Sequence, residues 1–392
     1  MVLFLIVAWL FWTCKNIPVE VTPSLLWQKN PFGQSQIESI YPIFYKDKVI
    51  ITQNLIAGGW KMVCLSKTEG NVTWTYTDTS DVQLYYNLKP FVYDSILVLP
   101  IDASAVAINL NTGNLVWKNA FGESAELFYE GYPSKAFRSY YTKDSILVME
   151  TDCLTGKLKP IYAIPKFSDL RISLRTPAPD GNNSKNIENL VFCKTLLNST
   201  TNKSSAVLAF YNIKEQKIIK VDTLEKEGPE VRGITKQPLI DYEAQNIYIV
   251  CHEKLYCYNL IEKTLIWQIA LPRDMLTSNL TFDYDAIYFP SEDGYLYKIN
   301  KVNGKIIWKS KVGGTPSRVY SCDYFIHVVG GSTGKWYIIQ KSTGEPKKIL
   351  DSPNAKALKD IFFRRYFTMS PDGKNIIATD GKDFLMYSLL QH

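Results

Sequence analysis

The hydrophobic pattern of this chain is a succession of short apolar runs, each ending at a small polar side chain and a tight turn. The clearest unit passes from Ala105-Val106-Ala107-Ile108 through Asn109 to Trp117, and again from Leu296-Tyr297-Lys298-Ile299 through Asn300 to Trp308. Looser copies join Ser66 to Trp74 and Asn259 to Trp267. The polar side chain can bond the backbone two residues on and so start a turn. Gly70, Gly113 and Gly304 each stand four residues before a Trp, where a tight hairpin needs positive φ. The Trp then falls on the outermost strand, where a large flat ring can cover the junction with the next unit.

Weaker copies keep parts of this plan. Asp152 to Gly156 preserves the turn with Pro160 in the Trp slot, Asn212 preserves the first residue with Lys220 in the slot, and Ser342-Thr343-Gly344 preserves the turn with Lys348 in the slot. The slots stand at 27, 74, 117, 160, 220, 267, 308 and 348. Repeats of this length, with four short strands per unit, predict propeller blades. Phe384 to Ser388 matches the strand before a turn, but its Trp would fall beyond residue 392. Leu25-Leu26-Trp27-Gln28 reads as an outer strand with no unit in front of it. The pattern therefore predicts an all-β, eight-bladed β-propeller of four-stranded antiparallel blades. An N-terminal strand completes the C-terminal blade and hides the sheet edges. Seven blades and a decayed segment is the rival arrangement.

Composition agrees with a single all-β body over 15–392: 25 Tyr and 18 Phe accompany abundant Ile and Val, and no long stretch carries helical periodicity. The polar stretches Asp180 to Ser184 and Asn198 to Ser205 read as surface loops. With 44 basic and 38 acidic residues the net charge is +6. Its local clusters, such as Lys347-Lys348 and Arg364-Arg365, are too short for a nucleic-acid surface, and none is expected.

Residues 1–14 read as a leader. Val2 to Trp12 is an apolar run of 11 residues, too short to span a bilayer but suited to a secretory signal. Cys14 follows at the boundary, and a Cys there resembles the lipid-attachment site of bacterial lipoproteins. Thr13 and Phe11 depart from the residues usual before that site. Cys14 is the lipidation candidate, and export to the periplasm or an outer-membrane anchor is the expected location.

Candidate chemistry is sparse. Cys64, Cys153, Cys193, Cys251, Cys257 and Cys322 are scattered, mostly in strand-like runs, and read as buried thiols. A three-residue loop at His252-Glu253-Lys254 would pair Cys251 with Leu255, not with Cys257. His327 sits in an apolar run and reads as structural. Gly330 to Lys335 lacks the spacing of a phosphate loop and reads as a hairpin turn, as does Ser370-Pro-Asp-Gly373. Tyr85-Tyr86, Phe128-Tyr129, Tyr132, Tyr140-Tyr141 and Phe362-Phe363 lie near blade connections. They read first as inter-blade packing and second as anchors for a protein partner.

The repeat, apolar-x-Asn/Asp-x-x-Thr-Gly-x-x-x-Trp in varied form, resembles that of pyrroloquinoline-quinone-type β-propellers over residues 22 to 392. The resemblance is strongest at Ala107 to Trp117 and Lys298 to Trp308. That family holds quinone-dependent dehydrogenases and a cofactor-free, BamB-like lipoprotein branch. The dehydrogenases imply a bound quinone, a calcium or lanthanide ion, an Asp base and often an adjacent-cysteine pair. This chain has no Cys-Cys pair and no acidic cluster suggesting a hard-cation site. The expectation is a non-enzymatic, monomeric scaffold of the bacterial envelope, without catalytic, metal or cofactor residues, that binds another protein. A quinone-dependent oxidoreductase is the alternative, and a carbohydrate- or peptide-binding propeller a further one.

Overall fold

A computed structural model describes residues 22–33, 41–55, 58–80, 84, 90–101, 104–120, 135–141, 145–165, 170–175, 189–198, 203–212, 215, 217–228, 238–241, 243–251, 253–275, 278–355 and 361–389. These form an all-β structure of antiparallel sheets, which we number in chain order. The first contains Ile43–Tyr45, Lys48–Asn54, Trp60–Ser66 and Val72–Asp78, and the second Phe91–Tyr93, Ile96–Ile101, Ser104–Asn109 and Leu115–Ala120. The fourth spans 170–228, the fifth 239–270, the sixth 281–311 and the seventh 320–350, each with four strands in simple meander order.

The third sheet shows three described strands, Lys135–Tyr141, Ser145–Asp152 and Leu158–Pro165. Pro160 lies on the last of these, and residues 121–134 lie outside the described residues. The eighth sheet is built from Thr368–Met369, Asn375–Thr379 and Phe384–Ser388, with Ser24–Lys29 as its fourth strand. Ser24 pairs with Ser388 and Lys29 with Phe384.

Asn198 and Lys203 pair as the last rung of a long hairpin, so the polar stretch at 198–205 is strand at both ends. Thr and Ser are compatible with a solvated strand, which composition alone took for a loop. Cys251 pairs with Lys254 and Cys257 with Tyr248, so the loop there has two residues, not three. Cys251 and Cys257 are therefore not cross-strand partners.

Apolar residues of the second and third strands fill the space between neighbouring sheets. Ile50, Met62 and Cys64 of the first sheet meet Leu97, Leu99, Val106 and Ile108 of the second. Ile377, Phe384 and Met386 of the eighth meet Val49, Ile51, Val63 and Leu65 of the first, with Trp27 among them. Each such side chain contributes roughly 1.5–3 kcal/mol by leaving water. The fourth strands are different: in Leu265–Ala270 and Ile306–Lys311 the first two residues are exposed. A register shift directly before the Trp slot marks a β-bulge, present also at Leu25/Trp27, which twists the outer edge and discourages further pairing.

Candidate interaction surface

One residue per repeat, the one after the turn-starting side chain, joins neighbouring sheets. Its carbonyl accepts the indole N–H of the preceding sheet: Trp27 to Lys67 at 2.9 Å, Trp74 to Leu110 at 3.1 Å, Trp117 to Cys153 at 2.9 Å, Trp267 to Lys301 at 3.0 Å and Trp308 to Lys341 at 2.9 Å. Its own N–H bonds the first turn of its own sheet, as from Lys67 to Asp47, Lys301 to Asp285 and Lys341 to Tyr324. The indole face lies over the turn glycine, where a Cβ on Gly113 would stand 2.7 Å from Trp74 and one on Gly344 2.7 Å from Trp308. The repeat glycine therefore has two duties, positive φ and room for the ring.

Where that residue is Lys, its side chain returns to the preceding sheet. Lys301 pairs with Asp241, and Lys341 with Asp283 at 3.3 Å. Lys67 reaches Asp372 at 3.8 Å. Burial pushes the Asp283 carboxyl up, but a hydrogen bond from the Tyr288 hydroxyl and the Lys341 charge outweigh it and hold it below the usual carboxylate range.

These contacts bring the first and third turns of successive sheets onto one face. There the structure exposes apolar side chains at turn tips: Tyr284 (90 % exposed), Val302 (80 %), Tyr324 (69 %) and Ile261 (66 %) are the four most exposed large hydrophobic residues described. They come from three consecutive sheets, the fifth to the seventh. Four ion pairs lie between them, Asp241 with Lys301, Asp283 with Lys341, Asp285 with Lys298 and Glu345 with Lys347, and the same turns also carry Glu243, Glu262, Lys263, Lys305 and Asp323. The opposite face carries polar turns such as Ser291 to Gly294 and Gly331 to Gly334, and it is closely packed at the junction of the sixth and seventh sheets, where a Cβ on Gly330 would stand 1.8 Å from the Val312 carbonyl oxygen and one on Gly331 2.1 Å from that of Thr315.

Sequence reasoning missed the exposed turn tips. The available signal was an apolar residue in a turn where polar ones are usual, as at Ile261 and Val302. Of the aromatics singled out earlier, Phe363 is buried and Phe362 covers Gly334, which is inter-sheet packing. Tyr85, Tyr86, Phe128, Tyr129 and Tyr132 lie outside the described residues, as do the side chains of Tyr140 and Tyr141.

Cys14, the leader and His252 lie outside the described residues, and so does the side chain of Cys193. Cys64, Cys153, Cys251 and Cys257 are buried, and burial pushes the Cys153 and Cys257 thiols up to about 12. His327 is fully buried; its Nδ1 accepts from the Trp336 indole at 3.2 Å, which leaves the proton on Nε2, 3.3 Å from Cys322 Sγ. Burial, with the Lys341 charge adding to it, pushes the imidazole down to about 3, so it is neutral and structural. Among the described residues no three His, Cys, Asp or Glu side chains converge as a metal site requires.

Stacked antiparallel sheets, indole staples at five junctions and first-to-last strand pairing define a quinoprotein-type β-propeller repeat protein. A family profile described as outer membrane protein assembly factor BamB matches residues 20–130 and 218–364. The chain belongs to this family. The unmatched stretch contains Pro160, the poorest stand-in for Trp. No curated protein matches the chain in sequence. Among solved structures, BamB from Moraxella catarrhalis aligns at a TM-score of 0.62 with 12 % identity, over 90 % of this chain and 99 % of that one. The computationally designed Ika8 protein aligns at 0.59 with 10 % identity, over 91 % and 98 %. At such identities the likeness speaks for the fold alone.

Proposed function

We propose that the eight sheets form one closed ring of eight blades, and that the protein is a non-enzymatic scaffold of the bacterial envelope. In this reading it is exported, held at the membrane by lipid on Cys14, and binds another envelope protein through loops of the polar, closely packed face. The observation that carries the reading is the family match on both sides of the degenerate stretch. Ring closure draws support from seven junctions held by a staple or a shared core, from the fourth sheet round through the eighth to the third. Backbone-to-backbone contacts at Gly330 and Gly331 give the polar face the fixed loop positions that protein recognition uses. The test is affinity capture of the full chain from solubilised envelopes, followed by identification of co-purifying proteins. A stable stoichiometric partner is expected. Recovery of none, or dye reduction after reconstitution with pyrroloquinoline quinone and calcium, would overturn the scaffold assignment.

A further inference from the structure

We propose that the face bearing Ile261, Tyr284, Val302 and Tyr324 rests on the phospholipid surface, its apolar turn tips entering the headgroup region. This rests on the lipid tether proposed above and adds which side of the ring the tether presents. The first reason is where the tether leaves the body. Ser24 pairs with Ser388 at the turn end of the eighth sheet, and the Lys348 ammonium holds the Thr22 hydroxyl at 2.7 Å. Thr22 thus departs beside the seventh sheet, on the face that presents Tyr324. Seven residues separate it from Cys14, so an extended chain lets Thr22 stand at most about 28 Å from the lipidated cysteine. Seating the opposite face on the membrane would require that chain to run the depth of a sheet. A six-residue strand such as Ile306–Lys311 accounts for about 20 Å of that depth before its turns are added.

The second reason is the chemistry of the face. Its apolar groups are separate tips divided by paired charges. A protein interface concentrates its energy in one contiguous dry centre. A headgroup layer accepts dispersed single side chains, and a tyrosine with an apolar body and a polar end suits it. Asp241, Asp283, Asp285 and Glu345 are paired with lysines, and the other charges of these turns, Glu243, Glu262, Lys263, Lys305 and Asp323, nearly balance in sign, which leaves little net charge to repel or specially attract lipid. Membrane contact here is accordingly apolar and little affected by salt.

The test places the photo-crosslinking residue p-benzoylphenylalanine in the full, membrane-inserted chain, at Tyr284 or Tyr324 on this face and at Arg273 or Ser332 on the other. Palmitate-analogue incorporation at Cys14 is read in the same cells. We expect several-fold more lipid adduct at Tyr284 and Tyr324 than at Arg273 and Ser332, unchanged at high salt. Protein adducts in place of lipid at Tyr284 and Tyr324, equal lipid adducts on both faces, or no lipid adduct at either position would each overturn the inference. The label separates the two ideas: lipid adducts on this face without label retain the face and remove the lipid tether. Label without such adducts retains the tether and removes the face.

Discussion

The Lys220 ammonium donates to the main-chain carbonyl of Lys263 across the junction between the fourth and fifth sheets. Lys263 occupies the turn position that glycine fills at five other junctions, and it does so with φ of 58°. Its side chain is tolerated because the preceding sheet offers a slim lysine where those junctions offer an indole. The two departures from the repeat therefore depend on each other.

That dependence gives a double-mutant test. Lys263→Gly should stabilise the protein by about 1 kcal/mol, because a non-glycine residue in the left-handed region costs of that order. Lys220→Trp alone should destabilise, its ring meeting the Lys263 Cβ. Combined, the two should restore a staple and show favourable coupling of about 1 kcal/mol or more. Urea unfolding midpoints measure all three, and strict additivity would show that the positions are independent.

The two duties of the repeat glycine can be separated in the same way. Gly33 has φ of 67° and nothing within 4 Å of an added Cβ, so Gly33→Ala carries the backbone penalty alone, about 1 kcal/mol. Gly113 has φ of 77° and an indole 2.7 Å from the added carbon. Gly113→Ala should cost a further 1–3 kcal/mol, roughly, from overpacking against Trp74. Equal losses in thermal unfolding would mean that the ring moves aside freely.

Much of this architecture was legible because the staple is local in sequence. Asn109, Gly113 and Trp117 must keep their spacing for one turn to form, so the pattern persists and marks the outer strand. The pairing of Ser24–Lys29 with Phe384–Ser388 was legible for the complementary reason that each end lacks what the other supplies. The Lys301 and Lys341 ion pairs were not, because their partners Asp241 and Asp283 lie some way off in the chain, with nothing periodic to mark them. The exposed face was missed because Tyr284 and Tyr324 look like ordinary strand residues until the turns are placed.

The His327 imidazole predicts a pH dependence. Its folded value of about 3 lies below its unfolded value, so below about pH 6.5 the unfolded chain binds a proton that the folded chain refuses. This contribution to stability is complete above that pH and is lost as pH falls towards 3, at up to about 1.4 kcal/mol per pH unit. The depressed carboxyls of Asp78, Asp283 and Asp372 act in the same direction, but only below about pH 4, where unfolded carboxylates protonate. Between pH 6 and 4.5 the slope therefore belongs mainly to His327. His327→Gln, which can still accept from Trp336, should flatten it in chemical unfolding, and an unchanged slope would place the linkage elsewhere.

Removal of residues 23–29 tests how the two ends of the chain depend on each other. The Gln28 amide donates to Asp383 at 2.6 Å, Asn354 joins Asp383 to Asp380, and the Trp27 indole bonds the Lys67 carbonyl. Deletion would strip one edge from Phe384–Ser388, all five residues of which are buried. It would also leave Asp383 short of a donor and remove the ring over Gly70. Loss of the Trp alone should cost roughly 3–5 kcal/mol, and the exposed edge adds a site for aggregation. We expect a fall of about 5 °C or more in the thermal midpoint, on the scale relating stability to melting in domains of this size, with a rise in light scattering. Gln28→Ala, which keeps the strand and the indole, should lose only about 1–2 kcal/mol for one donor to a buried carboxylate. A truncated chain that melts and scatters like the parent would show that the eighth sheet is complete without its N-terminal strand.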